Sequence, residues 1–158
     1  MSLGSNLGDR LGYLRRGLRE VRLLGTVLAS SSVYETAPVG GTSDPRPYLN
    51  MAVRLETELS PEGLLLALKS VESRVGRKDS TKNMPRELDI DLVLYDRLAL
   101  KSERLEIPHP RMKERRFVLE PLVEIEPDLV LPDGAKAIDL LSLVLDQEAA
   151  KIDADVSI

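Results

Sequence analysis

Cysteine and tryptophan are absent, and phenylalanine and histidine occur once each. Without cysteine there is no disulfide, no thiolate metal site and no cysteine nucleophile. A single histidine removes the usual ligand set of a zinc site. One Phe and four Tyr leave little from which to build a base-stacking platform. Basic residues are not in excess: 22 Lys and Arg stand against 26 Asp and Glu, a net charge of −4, whereas a general nucleic-acid binder is normally basic. No signal-peptide pattern and no apolar run long enough to span a bilayer stand out. A cytoplasmic protein without nucleic-acid or membrane partners is expected, which the lack of disulfides suits.

What is present is an alternation of helical and strand patterns over 158 residues. That is the size of one domain, able to bury about 70% of its unfolded surface. Leu11, Leu14, Leu18, Val21 and Leu24 recur at helical spacing over 8–24, and Gly25 is a stop. Residues 26–34 read as a strand, and 36–47, crowded with Pro, Gly, Ser and Asp, as a long loop. Over 48–59 Leu49, Met51, Val53 and Leu55 alternate onto one strand face. Ser60 and Pro61 then supply an N-cap and a first-turn proline for a helix that presents Leu64, Leu65, Leu68, Val71 and Val75, and Gly76 ends it. A polar, basic stretch (76–86) leads into a strand at 86–95. A small hairpin (98–107), a Pro-His-Pro turn, a helix from about 111 and a helix at 137–145 follow, with the tail after about 146 loosely held. The order β-α-β-β-α-β predicts an α+β, ferredoxin-like antiparallel sheet with helices on one face, plus a C-terminal hairpin and helices. One domain over 1–158 is expected, with no fused second catalytic domain. The weak point is the first strand, because only Met1, Ser2 and Leu3 precede Gly4.

The strand "RELDIDLVLY" has an unusual outer face. Leu88, Ile90, Leu92 and Leu94 alternate with Glu87, Asp89, Asp91 and Val93. Asp89 and Asp91 therefore point the same way, about 7 Å apart. Two adjacent anions repel, and Asp is depleted in strands. Mg²⁺ supplies the missing charge, since it takes carboxylates together with substrate phosphates and water. The plainer alternative is a solvated face paired with Arg or Lys. Two basic clusters favour a polyphosphate: Arg77, Lys78, Lys82 and Arg86 before the strand, and Arg111, Lys113, Arg115 and Arg116 after it. Taken singly, each cluster reads equally as a solvated surface. His109 is fixed between two prolines, which helps aim a side chain. Tyr48 and Asn50 share a strand face, setting a flat ring beside an amide that both donates and accepts hydrogen bonds.

Together "LGSNLGDR", "YETAPVG", "YLNMAVRLET", "RELDIDLVLY" and "IPHPRMKERRFVLEPLVEI" resemble the 6-hydroxymethyl-7,8-dihydropterin pyrophosphokinases of folate biosynthesis. The resemblance runs in order and spacing to about Leu145. It implies a ferredoxin-like fold and transfer of the β,γ-diphosphoryl group of ATP to the pterin hydroxymethyl group, releasing AMP. It implies that Asp89 and Asp91 hold two Mg²⁺ ions, a clamp suited to in-line displacement. It also implies an ATP site of Glu72, Arg77, Arg86, Leu92, Arg104, His109 and Arg115, with Arg77 and Arg86 catalytic in or beside a mobile loop. The implied pterin site is Thr36, Val39, Tyr48, Asn50 and Phe117, with Tyr48 and Phe117 sandwiching the ring and Asn50 reading its edge. A monomer is expected.

Four departures from the family pattern stand out. Asn83-Met84 replaces a frequent Trp-Gly pair, the loop before the strand is about one residue shorter than the longest versions, position 110 is Pro where some members have an aromatic, and, the largest, the apolar residues that usually precede Gly-Ser-Asn are missing. The competing readings are a non-enzymatic small-ligand module of the same fold and, less well supported, an RNA-binding module.

Overall fold

The computed structural model describes residues 1–39, 45–76 and 85–156. Its elements run β1 (Ser2–Ser5), α1 (Arg10–Val21), β2 (Thr26–Ser30), β3 (Val33–Thr36), β4 (Tyr48–Glu56), α2 (Pro61–Val75), β5 (Asp89–Asp91), β6 (Leu100–Lys101), β7 (Glu106–Ile107), α3 (Arg116–Ile125), α4 (Ala137–Ser142) and β8 (Ala149–Ile152). One antiparallel sheet runs β5-β1-β4-β3-β8, with β2 also on β4, and β6-β7 form a separate hairpin.

The alternation read in β4 sorts the sheet's two faces. Leu49, Met51 and Val53 join Leu3 and Ile90 against Leu14, Leu18 and Val21 of α1 and Leu64, Leu68 and Val71 of α2. Ser60 caps α2 by accepting the N–H of Gly63 at 3.1 Å, and Gly76 ends it at φ 126°, a conformation glycine adopts without a Cβ penalty. The opposite face is not bare. Ala52 and Val93 pack with Val118, Leu119 and Leu122 of α3 and with Ala137 and Leu141 of α4. The two helices of the βαββαβ unit, α1 and α2, thus share one face as expected, and the appended α3 and α4 cover the other. The apolar stripe of α3 needs cover, and the small Ala52 lets it settle on β4.

Several boundaries also differ from expectation: the helix expected from about 111 starts at Arg116, and the one expected at 137–145 ends at Ser142. The strand at 26–34 is two strands, β2 and β3, both paired with β4. At the break the N–H of Ser31 donates to Ala52 O at 2.9 Å and its hydroxyl accepts the N–H of Ala52 at 2.8 Å, so the ladder is bridged by a side chain. The strand at 86–95 contracts to Asp89–Asp91 because its partner β1 offers only Gly4, Leu3 and Ser2. The tail after 146 is not loose: β8 pairs with β3, the carbonyl of Asp155 accepts from Nε and Nη2 of Arg15, and Val156 is buried. The first strand is short but central, flanked by β4 and β5. Its buried terminal amine donates to Val53 O at 2.9 Å.

Candidate active site

Residues directly opposite one another in antiparallel strands share a face. Gly4 lies opposite Asn50 on one side and Asp89 on the other, and Ser2 lies between Ala52 and Asp91. Asp89 and Asn50 are therefore two strand spacings apart, roughly 10 Å, with a glycine between them. Within that gap Gly4 leaves room for the Asn50 amide: a Cβ there would sit 2.9 Å from Oδ1 of Asn50. The next row on β4 and β3 pairs Tyr48 with Thr36. Nδ2 of Asn50 donates to Oγ1 of Thr36 at 2.7 Å, and both residues are buried. Thr36, Tyr48 and Asn50 thus stand together on one face at one end of β3 and β4. Phe117 lies in the first turn of α3, half-buried against the core on that face. Val39 lies three residues past β3 and is exposed.

On the other side of the gap the aspartates gather charge. Nη1 of Arg86 contacts Oδ2 of Asp89 at 2.8 Å. Burial, and then the neighbouring Asp89, push the carboxyl of Asp91 up from its ordinary pKa, while His109, Lys69 and Arg115 pull it back. Burial holds the imidazole of His109 below its ordinary pKa against the pull of Asp91, so the ring is neutral near pH 7. Nδ1 of His109 accepts the N–H of Arg111 at 3.2 Å, which leaves the proton on Nε2 as a donor. Burial, and then Arg111, lower the pKa of Arg115, which stays charged. Its guanidinium lies 5.4 Å from the ring centroid of Phe117, and its buried Nε has no hydrogen-bond partner among the described residues. A cavity of about 310 Å³ opens beside Asp91, lined by Lys69, Leu92, Arg104 and His109 among others. A larger one, about 600 Å³, lies between the end of β3 and β8; it includes Thr36 but neither aspartate.

Glu72, expected at the ATP site, is a buried strut in the ligand-free protein. It is 1% exposed, and its Oε1 accepts the N–H of Ile90 at 2.7 Å and Nζ of Lys69 at 2.8 Å. It thereby satisfies the outer edge of β5, between the two aspartates. Arg77 lies outside the described residues, as do Lys78 and Lys82. Two contributors were missed in the sequence. Lys69 lines the smaller cavity, and its spacing of three from Glu72 on one helix was the available signal. Asn6 clamps the approach to β5, donating its N–H to Arg86 O at 3.1 Å and accepting the N–H of Arg86 through Oδ1 at 2.8 Å. No local pattern announces a clamp across 80 residues.

Residues 1–127 match the family model described as 7,8-dihydro-6-hydroxymethylpterin-pyrophosphokinase. The chain belongs to that family. It is 45% identical over 127 residues to the 2-amino-4-hydroxy-6-hydroxymethyldihydropteridine pyrophosphokinase of Bacillus subtilis, covering 79% of this chain and 75% of that one. The enzyme of the same name from Aquifex aeolicus is 38% identical over 132 residues, covering 84% and 82%. The mitochondrial folate synthesis bifunctional protein of Arabidopsis thaliana is 46% identical over 126 residues, covering 79% of this chain and 23% of that protein. The chain thus spans about a quarter of the plant bifunctional proteins it matches. The fold has a likeness in the Plasmodium falciparum HPPK-DHPS wild type with SDX-DHP: TM-score 0.68, 14% identity, covering 92% of this chain and 44% of that one. Among the described residues no group of three or more His, Cys, Asp and Glu gathers into a metal cage. Among the described residues no helix is long and apolar enough to cross a membrane.

Proposed function

We propose that this chain transfers the β,γ-diphosphoryl group of ATP to the hydroxymethyl group of 6-hydroxymethyl-7,8-dihydropterin, releasing AMP, as a step of folate biosynthesis. The observation that carries the reading is the row Asp89–Gly4–Asn50. It supports an anionic half-site for phosphate on one side of Gly4 and a polar half-site for a flat ring on the other. The strand order, with β2 and β3 together as one interrupted strand, supports a ferredoxin-like topology for the central βαββαβ unit. We read the chain as a single-domain monomer of the cytoplasm.

Asp89 and Asp91 fit Mg²⁺ by donor chemistry: both are hard oxygen ligands, and their mutual repulsion is relieved by a cation. Two ions held by these carboxylates would supply the charge that offsets phosphate oxygens and acidifies the attacking hydroxyl. The chain's own side chains do the rest. His109 offers an Nε2–H donor to a phosphate oxygen, and Arg104 on the cavity wall and Arg115 over Phe117 offer guanidinium forks. Arg86, held on Asp89 at 2.8 Å, is placed to offer its guanidinium to phosphate. Arg77 acts with it as a second catalytic guanidinium. Leu92 supplies an apolar wall for the nucleotide. Asn50 and Thr36, already joined, read the edge of the pterin; Val39 closes one side and Tyr48 and Phe117 cover its faces. In-line geometry then follows from holding the hydroxyl and the β-phosphorus in adjoining half-sites.

AMP formation from MgATP, measured with and without the reduced pterin, tests this reading. AMP should appear only with the pterin. Ligand binding without AMP would leave a binding module in its place.

A further inference from the structure

Helix α3 starts without a cap of its own. Its N-cap position is Arg115, whose side chain carries donors only and makes no capping bond. The service comes instead from a residue 31 positions beyond Arg116. Oε1 of Gln147 accepts the N–H of Arg116 at 3.0 Å, and its Nε2 donates to the carbonyl of Glu114 at 2.7 Å. These two backbone groups flank Arg115, so a single carboxamide brackets that one residue. Arg116 fastens the bracket from its own side. Its Nη1 donates to the carbonyls of Leu145 at 2.9 Å and Gln147 at 2.8 Å, while its Nε holds Glu120 at 2.6 Å.

We propose that Gln147 is a positioning residue for Arg115. The inference rests on the reading of Arg115 as a phosphate-binding group. Arg115 is half-buried beside Asp91 and His109, stacks on Phe117, and keeps a buried Nε unpartnered. A long side chain in that state is aimed by its backbone. A carboxamide matches the bracket, because one group must accept an N–H while its neighbour donates to a C=O. Gln147 lies beyond the matched residues 1–127, so the matched segment does not contain the group that holds its own arginine. A displacement of about 1 Å at such a residue costs up to a hundredfold in rate.

Gln147→Met keeps the length and removes both bonds. Gln147→Glu keeps the acceptor for Arg116 and removes the donor to Glu114. Each is made in the full chain, alone and with Arg115→Ala, and the single-turnover rate with MgATP and reduced pterin is measured beside a thermal melt. Gln147→Met should slow the wild-type reaction about tenfold or more, and Gln147→Glu by an intermediate factor. In the Arg115→Ala background neither should slow it by more than about twofold, because the group being aimed is gone. Full rate in Gln147→Met, or the same loss with and without Arg115, overturns the proposal. Should Gln147→Met fail to fold, the same comparison is read from Gln147→Glu. An inactive wild type overturns both this proposal and the assigned function, whereas an active wild type with uncoupled Gln147 variants overturns this one alone.

Discussion

Oε1 of Glu72 accepts the backbone N–H of Ile90 at 2.7 Å, fastening α2 to the strand that carries Asp89 and Asp91. The carboxylate is buried, and Lys69 answers its charge. Glu72→Ala leaves the N–H of Ile90 unpaired and should cost about 3 kcal/mol in urea denaturation. Glu72→Gln keeps an acceptor for Ile90 and should cost clearly less. Equal losses in the two variants would contradict the strut.

The paired aspartates should be dispensable for folding and indispensable for turnover. Asp89 raises the pKa of Asp91, so each charge works against the other in the ligand-free protein. Asp91→Asn should melt no lower than the parent, yet lose at least about a hundredfold in activity, an amide being a poor Mg²⁺ ligand. Asp89→Asn should behave alike in activity. Retained turnover in either variant would remove the metal assignment, and unfolding would make the carboxylates structural.

Gly4→Ala tests the seat of the Asn50 amide. Its Cβ would crowd Oδ1 of Asn50 at 2.9 Å and must displace the amide that is bonded to Thr36. A methyl forced into a packed site costs about 1–3 kcal/mol. The KM for the pterin should rise about tenfold or more while the Kd of MgATP stays unchanged. A matched loss of both affinities would place the damage in the sheet rather than in the half-site.

The buried amine of Met1 gives a pH dependence. Burial pulls its pKa from 8.0 down to about 6, against the opposite pull of Asp91. Between those values the unfolded chain binds the proton and the folded chain does not, so stability falls as pH drops from 8 to 6. The full loss is roughly 2–3 kcal/mol. His109, also lowered, adds loss of the same sign as pH falls through its ordinary value of 6.5. The test is therefore a difference: denaturation of the chain with a free amine at Met1, against one with a short β-favouring extension before it. The extended chain should be more stable and less sensitive to pH over that window. Parallel curves would contradict the assignment.

Where neighbours in sequence are neighbours in space, the fold was legible. The alternation of β4, the Ser60 cap and the Gly76 stop each depend on residues within one element, and each is found as read. Contacts across long stretches were not legible. β5 is short because β1 is short, which 86–95 does not encode. β8, Ala-Ala-Lys-Ile, carries no alternation and is ordered by the edge of β3. The same division holds at the site. Asp89 and Asp91 announce themselves as paired anions on a strand, whereas the inward turn of Glu72 depends on an N–H 18 residues away.

The central claim is transfer of the intact β,γ-diphosphoryl group across the Asp89–Gly4–Asn50 row. ATP labelled at its β-phosphorus reads this directly in a single turnover with Mg²⁺ and the reduced pterin. All of the label should pass to the pterin, with one unlabelled AMP formed for each labelled product and no ADP. Label left in nucleotide, ADP in the products, or AMP formed equally without pterin would contradict the account.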